Sequence, residues 1–144
     1  MTYFILAFVA GMALTIQVGI NSTLRHGLGN PGMATLVSFL VGTVGLVFYL
    51  LLMRTPLPAR TAIAAVPTWA WFGGLVGAFY VAVTVIAAPR LGSATLLALV
   101  VLGQLLASLV IDHYGWIGFP QHSITTARIV GAILLFSGVL LIMR

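Results

Sequence analysis

The chain has 144 residues, 62% hydrophobic and 5% charged, with six basic residues, one acidic residue and no cysteine. Ordinary soluble domains carry roughly a quarter of their residues as charged side chains, so a mean hydropathy of +1.23 excludes a soluble globule and points to a bilayer. The missing cysteines exclude disulfides and thiol chemistry. A pI near 10.9 does not signal nucleic-acid binding, because no soluble basic surface exists to hold a duplex.

Five apolar runs approach the roughly 20 residues that a helix needs to cross a hydrocarbon slab about 30 Å thick. They fall at Tyr3 to Leu24, Met33 to Met53, Trp69 to Ala88, Ser93 to Ile111 and Thr126 to Met143. The first lacks a basic flank and outruns a signal-peptide core, so it is expected to stay as a span. Asn30-Pro31-Gly32 closes the first connection, Pro56, Pro58 and Pro67 fill the second, and Pro89-Arg90-Leu91-Gly92 is expected to form a tight third. The fourth, Asp112 to Thr125, carries Tyr114 and Trp116, residues suited to the headgroup level. The expected fold is all-α and integral to the membrane, one five-helix domain over residues 1–144. Uninterrupted apolar runs satisfy their backbone internally, and the alternation of a barrel is missing.

With five crossings, Arg54, Arg60 and Arg128 fall on the N-terminal face, and Arg25, Arg90 and Arg144 on the other. Membrane insertion reads Lys/Arg bias in short connections, and here that bias is zero. The chain is therefore expected to insert in both orientations and pair with its inverted copy, rather than take a fixed orientation set by the translocon or a partner. Inverted units are an established basis for pseudo-symmetric transporters.

Polar side chains inside the spans are the candidate site. Gln17 and Asn21 are four apart in the first span, and Gln104, Ser108 and Asp112 repeat that spacing in the fourth, so each set forms a stripe on one helix face. By helix rise, Gln104 and Tyr80 lie within about 2 Å of their span midpoints and Gln17 about 5 Å from its own. Gln17, Asn21, Tyr80, Gln104 and Ser108 are expected to contact a solute. Ser38 and Thr84 are expected to bond their own helix backbone. Asp112, the one acid, is the candidate for proton coupling. The competing reading is an interfacial ion pair with Arg54, Arg60 or Arg128. Arg25 and Arg90 are candidates for gating or for attracting anions, against an ordinary contact with lipid phosphate.

Gly73 and Gly77, four apart, and Gly131 and Gly138, seven apart, are expected to let helices approach closely, the latter pair in dimerisation. Gly27-Leu28-Gly29 lacks the strand context of a phosphate loop. His26, His113 and His122 have no cysteine or acidic cluster around them, so no metal, cofactor or enzymatic site is expected. A central glutamate is also missing, which disfavours export of hydrophobic cations and leaves neutral, zwitterionic or anionic solutes.

Gly11, Gln17 and Asn21, then Ser38 to Thr43, Gly73 to Gly77, Ala88 to Gly92, Gly103 to Leu106 and Asp112 to Gly115, in that order and spacing, resemble the YdcZ-type family of the drug/metabolite transporter superfamily. The segment Gly131 to Val139 is similar to the last helix of small multidrug resistance proteins, where that helix dimerises. The resemblance covers essentially the whole chain. It implies a five-helix exporter unit of the bacterial inner membrane, of a kind that occurs singly, as oppositely oriented pairs or fused; with the even arginine split, the chain is expected to carry a small solute by alternating access as an antiparallel homodimer. A passive channel and a non-transporting accessory subunit are the alternatives, distinguished by very fast flux or by none.

Overall fold

The computed structural model describes all of residues 1–144 and is entirely helical. The helices are α1 (Thr2–Leu28), α2 (Pro31–Leu52), a short α3 (Arg60–Ala64), α4 (Gly73–Leu91), α5 (Ser93–Tyr114) and α6 (Thr126–Ile142). One turn of 3₁₀ helix, Thr68–Phe72, leads into α4, and another, Trp116–Gly118, follows α5. Four segments are long and apolar enough to cross a membrane: Thr2–Leu28, Pro31–Leu52, Thr68–Leu91 and Ser93–Tyr114. The apolar α6 has 17 residues, about 26 Å at 1.5 Å per residue, and so falls just short of the hydrocarbon thickness.

Local chemistry sets the boundaries. Gly29 ends α1 in the left-handed conformation, φ 69°, and its N–H returns to the Arg25 carbonyl. Asn30 then caps α2 by accepting from the Met33 N–H at 3.1 Å, with Pro31 at the first helical position. Thus α1 extends four residues beyond the expected Leu24, and α2 begins two residues before the expected Met33. Ala59 to Ala65, alanine-rich and held between Pro58 and Pro67, make the short α3 inside the second connection.

The largest correction concerns Pro89-Arg90-Leu91-Gly92, which is not a turn. Helix α4 runs through Pro89 to Leu91, and the break is Gly92 alone, at φ 75° and ψ 161°. Proline ends a helix because it removes one N–H and crowds the carbonyl four residues earlier. Here that carbonyl, on Val85, receives a replacement donor: the Arg25 guanidinium, through Nη1 at 3.0 Å. The same nitrogen lies 3.3 Å from the Ile86 carbonyl. The helix therefore continues for two residues after the proline.

The chain clusters into two compact units, Met1–Arg90 and Leu91–Arg144. In the first, α1 packs beside α2, and α4 meets α2 through the buried trio Ala34, Val81 and Val85, flanked by Leu24 and Tyr80. Gly77 faces the Phe39 ring, which a β-carbon there would meet at 3.7 Å. In the second, α5 packs beside α6, and the connection between them folds back onto the end of α5.

Candidate solute site

In the first unit the polar residues divide by burial. Asn21 is 2% exposed and shares the buried face of α1 with Val18. Its partner in the expected stripe, Gln17, is exposed. Gln17 lines an open groove of about 220 Å³ between α1 and α2, with Ser38, Phe39, Gly42, Thr43 and Leu46. Tyr80 packs against the Ala34–Val81–Val85 cluster, and its hydroxyl is buried without a hydrogen-bond partner. A buried phenol lacking a partner costs free energy on the order of 1–3 kcal/mol, and neither this groove nor those at Ser108 and Ile20 reaches it. Thr84, 2% exposed, donates to the Val81 carbonyl at 2.9 Å, the backbone bond expected of it.

In the second unit Ser108 and Asp112 line a groove of about 370 Å³ with Leu105, Leu109, Arg128, Gly131 and Ala132. Arg128 Nη1 donates to Asp112 Oδ2 at 3.3 Å and to the His122 carbonyl at 3.2 Å. The His122 N–H in turn donates to the Asp112 carbonyl at 2.7 Å, and Gln121 Nε2 to the His113 carbonyl at 3.0 Å. The last carbonyls of α5, which have no partner within the helix, are thereby occupied by the returning connection. Gly115 enables the reversal with φ 65°. Of the three arginines expected as candidates to meet Asp112, Arg128 is the one that does.

The expected stripe on α5 is divided. Ser108 and Asp112 open into this groove, whereas Gln104 is exposed and outside it. On the observed boundaries Gln104 lies within about 1 Å of its helix midpoint along the axis, and Tyr80 and Gln17 each about 3 Å from theirs. Arg25 is bound to α4 carbonyls, while Arg90 is exposed without a partner. A β-carbon added at Gly73, Gly131 or Gly138 would meet nothing within 4 Å. Thr43 and Arg128 were not among the expected site residues. Arg128 was discoverable from its place at the start of α6, one connection away from the lone acid. Thr43 had no signal beyond its spacing from Ser38, and its hydroxyl bonds the Phe39 carbonyl at 2.8 Å. A further groove of about 500 Å³ lies along α1 at Ile20, Thr23, Leu24, Gly27 and Leu28. It offers only the Thr23 hydroxyl, already bonded to the Gly19 carbonyl at 3.1 Å.

Four long apolar helices, with a fifth just short of the hydrocarbon thickness, and polar groups near mid-helix define a multi-pass integral membrane protein. The family described as "Putative inner membrane exporter, YdcZ" matches residues 2–141, and the chain belongs to it. A relative, "Inner membrane protein YdcZ" of Escherichia coli strain K12, is 30% identical over 141 residues, covering 96% of this chain and 94% of the relative. No solved structure matches the chain. The protein is accordingly a multi-pass inner-membrane protein from a family of exporters and not an enzyme.

Proposed function

We propose that the chain acts as one five-helix membrane domain and works as an antiparallel homodimer. It exports a small solute by alternating access, with Gln17, Asn21, Tyr80, Gln104 and Ser108 in contact with that solute. The observation that carries this reading is the exposure of Gln17 and Gln104, two mid-helix amides, on the single chain. An amide turned to hydrocarbon leaves its donors and acceptors unsatisfied. A second copy together with a solute chamber removes that cost. The arginine tie, three in the short connections on either face, supports inversion.

A two-fold axis in the membrane plane makes the inward-open and outward-open states equivalent, so a single site serves both. Helix α6 carries the dimer contact, where open space stands over Gly131 and Gly138. Asp112, Arg25 and Arg90 act in gating or coupling. Solute flux into proteoliposomes tests the site: Gln17→Leu and Gln104→Leu are each expected to lower flux about tenfold while the protein stays folded. Unchanged flux in both would contradict the assignment.

A further inference from the structure

We propose that the groove holding Ser108, Asp112 and Arg128 binds a small aliphatic zwitterion, an α-amino acid with a hydrocarbon side chain. This rests on the transporter reading and deepens it by naming the solute class.

The ion pair is incomplete in a specific way. Arg128 meets Asp112 through one nitrogen and one oxygen, at 3.3 Å, whereas charge-assisted bonds settle near 2.7–2.9 Å and arginine favours a two-bond fork. Arg128 Nε and Nη2 and Asp112 Oδ1 make no hydrogen bond within the chain. The two side chains are 35% and 27% exposed, so both are reachable from the groove.

The groove presents one positive and one negative charge, and therefore selects on charge arrangement. A lone anion would bind Arg128 beside an unpaired Asp112, and a lone cation would do the reverse. A zwitterion replaces one long pair with two, its carboxylate on Arg128 and its ammonium on Asp112, without changing the net charge. Unpaired charge is the usual means by which a site rejects the wrong ligand. Ser108 lies one turn from Asp112 on the same helix face and adds a hydroxyl that can donate and accept. Leu105, Leu109 and Ala132 form the apolar wall against which a hydrocarbon side chain would rest. A volume of about 370 Å³ is at the small end of ligand sites, which start near about 300 Å³.

The charged groups are also held in advance. The 2.7 Å bond from the His122 N–H to the Asp112 carbonyl and the 3.2 Å bond from Arg128 to the His122 carbonyl fix both ends of the pair through one connection. Preorganisation of this kind lowers the ordering cost of binding.

Three probes separate the charges: leucine, isocaproate, which lacks the ammonium, and isopentylamine, which lacks the carboxylate. With the purified full-length protein, leucine is expected to bind about tenfold more tightly than either half-ligand. Asp112→Asn should erase the advantage of leucine over isocaproate, and Arg128→Gln its advantage over isopentylamine. A merely structural ion pair would weaken all three probes together, and that result would overturn the proposal. So would failure of the wild-type protein to prefer leucine, which needs no variant to fold. Flux of some other solute alongside absent leucine binding would sink this inference and leave the transporter reading standing.

Discussion

Each half of the chain binds one arginine internally, and the two do so by opposite means. Arg25 is held by the backbone, through the Val85 and Ile86 carbonyls of α4, with no carboxylate in its contact. Arg128 is held by the only acid in the protein and by one carbonyl of the adjoining connection. The first contact repairs a helix in which Pro89 has removed a donor. The second joins two helix ends and leaves donors and an acceptor unused. An arginine satisfied by carbonyls keeps its full positive charge and acts as a fastener between α1 and α4, whereas an arginine beside an acid forms a neutral, openable pair. The two engaged arginines are thus distinguished by what accepts from them.

The largest expected effect follows from the fastener. Replacing Arg25 with leucine strands the carbonyl of Val85, a residue that is 0% exposed, and is expected to cost about 2 kcal/mol. Thermal unfolding in detergent micelles would register the loss. Changing Pro89 to alanine returns the missing N–H, so in that background the Arg25→Leu cost should fall below about 1 kcal/mol. A cost that is the same in both backgrounds would separate Arg25 from the proline and end the distinction drawn here.

The pair at Asp112 should respond far less. With both side chains about a third exposed, Asp112→Asn is expected to shift stability by less than about 1 kcal/mol in the same unfolding measurement. A loss as large as that of Arg25→Leu would make Asp112 a structural residue first and remove the contrast between the two halves.

The spans were readable from sequence because a run of apolar residues long enough to cross a bilayer has few other uses. The start of α2 falls two residues before the expected Met33, because Asn30-Pro31 is a cap followed by a pre-set first turn rather than the close of the connection. Pro89 misled because a proline's effect depends on whether another group can serve the freed carbonyl, and Arg25 stands 60 residues away from Val85. The Asp112–Arg128 pair was legible in kind, since a lone acid among arginines has few partners. The rotation of α1 and α5 was not. Spacing of four puts Gln17 with Asn21, and Gln104 with Ser108, but neighbouring helices decide which part of that face is covered. Asn21 is buried while Gln17 stays exposed, and Ser108 enters a groove that Gln104 does not. What the sequence located well was depth along each helix; the partner at that depth was set by packing.

Inversion of two identical chains is the central claim, and the position of the C-terminus measures it directly. Paired reporters fused after Arg144, one active only in the cytoplasm and the other only outside it, should both give signal in comparable amounts from the native sequence. Signal from one reporter alone would establish a single orientation and contradict the antiparallel homodimer.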